Sequence, residues 1–178
     1  MGGGACWNSE TCSEEGATFT DTIEYVKERQ RKGFEGIYNK NNLENPIKEW
    51  THIVIPYCTG DIHWGEKDFI YKKDRGEEFL IHHRGATNTK AVLSWIQSNL
   101  ESPKDILVTG CSAGSYGSIY WTPHLQNLFP DSYVMQLGDS GAGVITQEFF
   151  QNSFPNWHAS KNAPTWIPEL NPENTDWL

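Results

Sequence analysis

The chain has 178 residues and a formal net charge of −9, and 37% of its residues are hydrophobic. This length and composition suffice for one domain with a hydrophobic core and exclude a disordered chain. The acidic balance disfavours nucleic acid as a partner, because phosphate backbones repel it. No apolar run is long enough to span a bilayer. Met1 is followed by glycines with no basic or apolar leader, so these residues predict no signal peptide.

Hydrophobic periodicity predicts alternating helices and strands from residue 20 onward. In chain order, the predicted elements are a helix over 20–32, a strand over 51–58, a helix over 86–100, a strand over 105–109, a helix over 118–128 and a strand over 132–137. The stretch 62–85 is predicted to be loop-rich, 110–117 is predicted to be a Gly/Ser turn, and residues after Gln147 are left unassigned. Pro123 is expected to kink or interrupt its helix. The alternation predicts an α/β fold with a parallel sheet.

Four cysteines occur in two settings. Cys6 and Cys12 bracket a short loop, so a disulfide between them is plausible and favours an oxidising compartment. Zinc is the rival interpretation, but neither a CxxC motif nor paired histidines accompany these residues. Cys58 and Cys111 each end an apolar run, and they are expected to be either buried thiols or a second bridge.

Residues 110–114 carry the chemistry. Gly110-Cys111-Ser112-Ala113-Gly114 fits the G-x-S-x-G pattern, and it lies between a predicted buried strand and a predicted helix. In that context the pattern forms a sharp, strained turn that exposes the serine hydroxyl as a nucleophile. The N–H group of Ala113 is expected to point at a developing oxyanion, aided by the helix N-terminus.

A second oxyanion donor usually comes from a Gly-rich loop after an earlier strand. Gly2-Gly3-Gly4 is such a loop, and bare glycines let backbone N–H groups approach a ligand. Gly3 and Gly4 are therefore predicted to complete the oxyanion hole; the alternative is an unstructured terminal tail.

The triad partners of Ser112 are harder to find. Asp139 ends the strand that follows, from which a carboxylate can reach an imidazole, although it can equally tie turn amides. Of the histidines after Ser112, His124 lies twelve residues down the same predicted helix, about 18 Å away, which excludes it. His158 is a weak candidate in the irregular tail. The adjacent pair His82 and His83 would face opposite ways on a strand and could not easily share a metal.

Four blocks of sequence together resemble the pectin acetylesterase/Notum family. They are Gly2-Gly3-Gly4-Ala5-Cys6-Trp7-Asn8 with Cys12, Ile55-Pro56-Tyr57-Cys58-Thr59-Gly60-Asp61, Gly110-Cys111-Ser112-Ala113-Gly114, and Gly138-Asp139-Ser140-Gly141. The resemblance implies a secreted serine carboxylesterase of α/β-hydrolase fold that needs no cofactor or metal. Plant members release acetate from pectin, and the animal member removes a fatty acyl group from a signalling protein.

By matching position, the resemblance implies Ser112 as nucleophile, Gly3, Gly4 and Ala113 as the oxyanion hole, and a Cys6–Cys12 disulfide beside it. Ser115 stands where the family usually has glycine, and a small residue there is expected to be tolerated. The family's triad Asp and His lie farther downstream, and its Asp139 block is not the triad acid, so Asp139 is expected to shape the pocket.

These departures lead us to expect that 1–178 is a single partial α/β-hydrolase domain, truncated at both ends, inactive by itself and poorly soluble. The leading expectation for the whole protein is removal of O-acetyl groups from a polysaccharide such as pectin, with acylated carbohydrate as its partner. The alternatives are a lipid or protein O-deacylase of the Notum type and a non-catalytic carbohydrate-binding relative. Trp7 and Trp64 adjoin the motif loops and can stack on sugars, although core packing is the commoner role of Trp. A cysteine-based activity at Cys111 is discounted, because that side chain points away from the exposed position of the turn.

Overall fold

A computed structural model describes residues 3–13, 16–141, 143 and 145–168. The α-helices in these residues are α1 Ser9–Cys12, α2 Glu24–Lys32, α3 Gly85–Asn99, α4 Ala113–Leu128, α5 Gln147–Asn152 and α6 Phe154–Trp157. The strands are β1 Lys67–Lys72, β2 Glu78–His83, β3 Asp105–Cys111 and β4 Tyr133–Asp139. Short 3-10 helices cover Gly36–Tyr38 and Ala159–Asn162. The mixture of helices and strands is compatible with the predicted α/β class.

The parallel sheet contains two strands in the described residues. β3 and β4 pair in parallel from Asp105 opposite Tyr133 to Cys111 opposite Asp139. α4 packs on one face of this pair, where Gln136 donates a 2.8 Å hydrogen bond to the Ser118 hydroxyl. The carboxyl ends of both strands therefore meet at the N-terminus of α4, where Ser112 lies.

The predicted strand over 51–58 is wrong. This segment has no regular secondary structure and pairs with no described strand, despite its β-branched Ile53, Val54 and Ile55. Pro56 lacks an N–H group, and the N–H and carbonyl of Tyr57 bond the Tyr25 hydroxyl instead, at 2.9 and 3.0 Å. A side chain therefore replaces the neighbouring strand.

The stretch 62–85 contains a hairpin that the loop-rich prediction missed. β1 and β2 pair antiparallel from Lys67 opposite His83 to Lys72 opposite Glu78. One face carries Phe69, Tyr71, Phe79 and Ile81, which pack against the cysteines of the N-terminal loop. The signal was present in the sequence, because two short apolar runs, Phe69-Ile70-Tyr71 and Phe79-Leu80-Ile81, flank the turn residues Asp74-Arg75-Gly76.

The remaining predicted elements hold, with shifted boundaries. α3 matches the helix over 86–100 within a residue, and α2 is shorter than 20–32 because it begins at Glu24. α4 begins at Ala113, so five of the eight residues of the predicted Gly/Ser turn are helical, and the helix runs through Pro123 without interruption. α5 and α6 occupy the unassigned region after Gln147.

Aromatic rings form most of the core. Trp64 is buried and stacks on Tyr120 with ring centroids 4.5 Å apart, so its role is packing. Trp157 is fully buried among Phe149, Phe154 and His83. This cluster joins α4 to α6 and to the N-terminal loop. Among the described helices, none has both the length and the apolar character needed to cross a membrane.

Candidate active site

Ser112 occupies a strained turn between β3 and α4. Its φ of 54° and ψ of −117° lie in a region that non-glycine residues rarely adopt, at a cost of about 1–3 kcal/mol. The Ser112 N–H group donates to the Asp139 carbonyl at 2.8 Å, and the Ser112 carbonyl accepts from the Ser115 N–H at 2.9 Å. Both sides of the turn are therefore anchored, which is the geometry expected of a nucleophile elbow.

Gly110 and Gly114 of the motif differ in how closely other atoms approach them. A Cβ on Gly110 would overlap the Gly114 carbonyl oxygen, whereas a Cβ on Gly114 would meet nothing within 4 Å. Only the first glycine is required by the close approach of β3 to α4. Ser115 is buried, and its side chain fills the space beside Gly138 and Gly141, where any Cβ would overlap its hydroxyl. The serine at this position is therefore accommodated by two glycines on the far side.

Two N–H groups at the start of α4 have no hydrogen-bond acceptor among the described residues. The N–H groups of Ser115 and Tyr116 bond the Ser112 carbonyl, but those of Ala113 and Gly114 have no acceptor in the described part of the chain. The first N–H groups of a helix carry its positive dipole end. Ala113 was predicted as an oxyanion donor, and Gly114 has a second N–H group without an acceptor that sequence reasoning did not single out, although its place in the first helical turn gave the signal.

Residues 3–6, which we call the glycine loop, lie beside Ser112. A Cβ on Gly3 would stand 3.5 Å from the Ser112 hydroxyl oxygen, so the Gly3 backbone faces the hydroxyl directly. Gly4 has a φ of 81°, and a Cβ there would overlap the Thr18 carbonyl, so packing against Thr18 requires this glycine. The structure brings Gly3, Ala113 and Ser112 together, whereas Gly2 lies outside the described residues.

A disulfide joins Cys6 and Cys12, as predicted. It closes around α1, which Asn8 caps by accepting the Thr11 N–H at 2.8 Å. His83 lies close to both sulfurs, so the three side chains are spaced as metal ligands would be. In the oxidised protein the sulfurs are bonded to each other, and the His83 nitrogens bond the Thr59 carbonyl and the Tyr71 hydroxyl at 2.9 Å. This trio therefore has no free donor atoms for zinc.

Cys58 and Cys111 are free thiols, each half-buried, so the second bridge considered from the sequence does not form. Burial raises the pKa of the Cys58 thiol, with Asp61 adding a smaller effect of the same sign. A raised pKa favours the unreactive protonated thiol at neutral pH.

Asp139 supports the elbow through its backbone. Its carbonyl accepts the Ser112 N–H, while its exposed carboxylate accepts a 2.9 Å hydrogen bond from the Ser140 hydroxyl. No histidine of the described residues bonds this carboxylate. Its contacts are those of a residue that shapes the strand end.

All six histidines lie in the described residues, and none hydrogen-bonds Ser112. His82, exposed, bonds Asp68, and His83 is buried, as expected for adjacent strand residues. His124 lies in the C-terminal half of α4 and bonds the Asn162 carbonyl at 3.0 Å, in agreement with its exclusion. His158 is exposed with a left-handed backbone after α6.

A buried acid organises the loop before β1. Asp61 is fully buried, and its oxygens accept hydrogen bonds from the Thr59 hydroxyl at 2.6 Å and the Gly85 N–H at 2.7 Å. Desolvation raises the pKa of the Asp61 carboxyl to about 6, although its hydrogen-bond donors oppose the shift. His63 nearby is buried, and desolvation lowers its pKa to about 4, so its ring is neutral. Asp61 fixes the loop through these bonds, and neither group hydrogen-bonds Ser112 in the part of the chain that the structure describes.

Comparison with known proteins shows which family the chain is similar to. A Pectin acetylesterase 5 of Arabidopsis thaliana is 27% identical over 143 residues, which are 79% of this chain and 32% of the relative. The chain therefore spans about a third of the length of this curated relative. No solved structure matches the chain significantly. The profile of the pectinacetylesterase family matches residues 1–168, and the chain therefore belongs to that family.

Proposed function

We propose that the chain carries the nucleophile and the oxyanion hole of a serine carboxylic ester hydrolase of α/β-hydrolase type that removes O-acetyl groups from pectin or a similar polysaccharide. The observation that carries the proposal is the strained Ser112 with free N–H groups of Ala113 and Gly114 at the start of α4. Membership in the pectinacetylesterase family supports the ester chemistry. Acetylated pectin is inferred from the name of the Arabidopsis relative.

The proposed reaction has two halves. The Ser112 hydroxyl oxygen attacks the ester carbonyl carbon as its proton passes to a base, and the resulting oxyanion is bound by the N–H groups of Ala113, Gly114, Gly3 and Gly4. The carbon–oxygen bond to the sugar then breaks, and the sugar oxygen takes the proton. Water releases acetate from the acyl-enzyme by the reverse sequence. No metal or organic cofactor enters these steps.

We propose that neither the base that takes the Ser112 proton nor the acid that orients this base is among the histidines and the Asp139 carboxylate described above. None of the six histidines bonds the Ser112 hydroxyl, and the Asp139 carboxylate has no histidine partner. In the pectin acetylesterase/Notum family that the sequence resembles, the catalytic Asp and His correspond neither to Asp139 nor to any of these six histidines. We also propose an extracytoplasmic location, because the Cys6–Cys12 disulfide suits an oxidising compartment.

Ester hydrolysis with an added base tests this function. We would measure p-nitrophenyl acetate hydrolysis and acetate release from acetylated pectin, with imidazole as an external base. The folded chain is expected to show activity that rises with imidazole and falls at least about 100-fold in Ser112→Ala. Ser98→Ala is the matched control, because that hydroxyl bonds only the Ser94 carbonyl on α3.

Equal rates in the parent chain and Ser112→Ala would contradict the proposal. Activity without imidazole would show that a base lies within these residues, and His158 would be the first to test. p-Nitrophenyl octanoate, run in parallel, separates an acetylesterase from a lipid deacylase. Pectin binding without Ser112-dependent hydrolysis would instead support the non-catalytic carbohydrate-binding alternative.

A further inference from the structure

Three of the four carbonyls of the glycine loop, those of residues 4–6, each accept a hydrogen bond from a side chain in another part of the chain. The Gly4 carbonyl accepts a 2.8 Å hydrogen bond from the Tyr57 hydroxyl, and the Ala5 carbonyl accepts one from the Thr18 hydroxyl. The Cys6 carbonyl accepts from the Trp157 ring nitrogen at 2.8 Å. The N–H groups of Gly3 and Gly4 have no acceptor in the described residues. The loop is thus fixed by its carbonyls and keeps these donors available.

Tyr57 differs from the other two donors because its hydroxyl bonds two backbone groups at once. It donates to the Gly4 carbonyl and accepts the Ile62 N–H at 2.9 Å. Ile62 has a φ of 50°, which is an outlier for a β-branched residue, and His63 follows with 68°. Such strain persists only where surrounding contacts over-determine the backbone. One hydroxyl therefore links the strained loop to the glycine loop.

The Tyr57 ring is itself rigidly placed. It is 3% exposed, its backbone is bonded on both sides by the Tyr25 hydroxyl, and its ring centroid lies 4.8 Å from that of His63. Burial raises the pKa of the Tyr57 hydroxyl, so it remains a donor at neutral pH. A second hydrogen bond joins the glycine loop to the segment that contains Tyr57 and Ile62, because the Cys6 N–H donates to the Gly60 carbonyl at 2.7 Å.

We propose that Tyr57 is a positioning residue for the oxyanion hole. Its hydroxyl holds the Gly3–Gly4 backbone against Ser112 by donating a hydrogen bond to the Gly4 carbonyl. The effect of Tyr57 on the rate rests on the proposed function, whereas its effect on the order of the Gly3–Gly4 backbone does not. Glycine backbones sample many conformations unless they are tethered. Without the tether, the Gly3 and Gly4 N–H groups would lose their fixed direction, and misplaced oxyanion donors stabilise a transition state poorly.

The test compares Tyr57→Phe with Tyr120→Phe. Tyr120 is also buried, and its hydroxyl bonds a single carbonyl, that of Ala159 at 2.7 Å, away from the glycine loop. Backbone ¹⁵N relaxation would give order parameters for Gly3, Gly4, Ala113 and Gly114. In Tyr57→Phe we expect the Gly3 and Gly4 values to fall while those of Ala113 and Gly114 stay unchanged. In Tyr120→Phe we expect all four values to stay unchanged.

The rate of Ser112 acetylation by p-nitrophenyl acetate with imidazole gives the functional arm. Tyr57→Phe is expected to slow it about 10- to 100-fold with the apparent affinity for the ester unchanged, whereas Tyr120→Phe is not. Unchanged order parameters at Gly3 and Gly4 would overturn the proposal. If Ser112 does not react even in the parent chain, the proposed function fails, and the order parameters still decide the role of Tyr57.

Should Tyr57→Phe not fold, the parent protein supplies the decision. The buried Tyr57 hydroxyl proton is expected as a slowly exchanging resonance with nuclear Overhauser contacts to the Ile62 amide and the Gly4 α-protons. It should begin to exchange on warming in step with the fall of the Gly3 and Gly4 order parameters. Loss of order at these glycines while the hydroxyl proton is still protected would overturn the proposal.

Discussion

Asp61 and Tyr57 determine the surroundings of Ser112 without contacting it. Asp61 bonds Thr59 on one side and the first N–H group of α3 at Gly85 on the other. A Cβ on Gly85 would overlap the Asp61 carboxylate, so the first residue of α3 packs directly against this acid. The loop that carries Tyr57 is therefore closed by a buried carboxyl group.

The raised pKa of Asp61 predicts a specific dependence of stability on pH. A carboxyl whose pKa is about 6 when folded, above its ordinary value of 3.8, binds its proton more tightly in the folded state. Its contribution to the free energy of unfolding is therefore full below about pH 4 and is lost as the pH rises through about 6. Asp61→Asn is expected to destabilise the protein by about 1–3 kcal/mol at about pH 4, because the amide places N–H groups against N–H donors. At about pH 7 the loss of unfolding free energy in Asp61→Asn should be smaller, and the difference between the two pH values should be about 2 kcal/mol.

Urea unfolding of both proteins between about pH 4 and pH 7 measures this difference. Asp68→Asn is the control, because Arg84 and then His82 hold the pKa of the Asp68 carboxyl far below this range. His63 and His83 remain in both proteins, and their lowered pKa values of about 4 affect both alike. A gap that widens as the pH rises would mean that the hydrogen bonds lower the pKa of Asp61 instead.

At this scale the sequence predicts the residues whose role is local. Ser112 and Gly110 are recognisable because a G-x-S-x-G pattern between strand and helix has one geometry. Gly4 was assigned to the approach of a ligand, but its glycine is required by the Thr18 carbonyl, fourteen residues away in the chain. Tyr57 was read as part of a strand, because nothing local reveals that its hydroxyl reaches Gly4 and Ile62.

At the scale of elements, the strand–turn–helix unit β3–Ser112–α4 is the part that the sequence predicted best. Half-buried β-branched residues, a glycine turn and a helix follow one another within 24 residues, from Asp105 to Leu128. The strand over 51–58 failed because its apolar run has the composition of a strand but no neighbouring strand to pair with. Pairing is a property of the whole sheet and cannot be read from one segment.

A matched pair of glycine variants tests this unit. Gly110→Ala is expected to destabilise the protein by about 2–4 kcal/mol, because its Cβ would overlap the Gly114 carbonyl and two backbones would have to separate. Gly114→Ala is expected to be neutral or to stabilise it by about 0.5 kcal/mol, because the site is open and lies in a helix.

Urea unfolding monitored by circular dichroism gives both values. Because the two glycines belong to one motif, a reading of the motif alone predicts equal effects. Equal losses in the two variants would therefore contradict the close approach of β3 to α4.

At the scale of the whole molecule, one face of the parallel sheet is only partly covered among the described residues. α4 covers the face with Gln136, whereas Tyr133 and Leu137 on the other face are 67% and 47% exposed. Trp95 on α3 is also exposed at 52%. The Tyr38 hydroxyl, bonded to Thr109 at 3.2 Å, anchors one described segment to that face. Apolar surface of this extent supports the prediction of poor solubility, which itself remains untested.

The most direct test of the account is the site of acetylation. The folded chain would be treated with p-nitrophenyl acetate and imidazole, quenched in acid, digested and mapped by mass spectrometry. The account predicts a single fast-forming acetyl group on Ser112, present in Ser98→Ala and absent in Ser112→Ala. Fast acetylation at Cys111 or at surface lysines, equal in the parent chain and Ser112→Ala, would contradict Ser112 as the nucleophile.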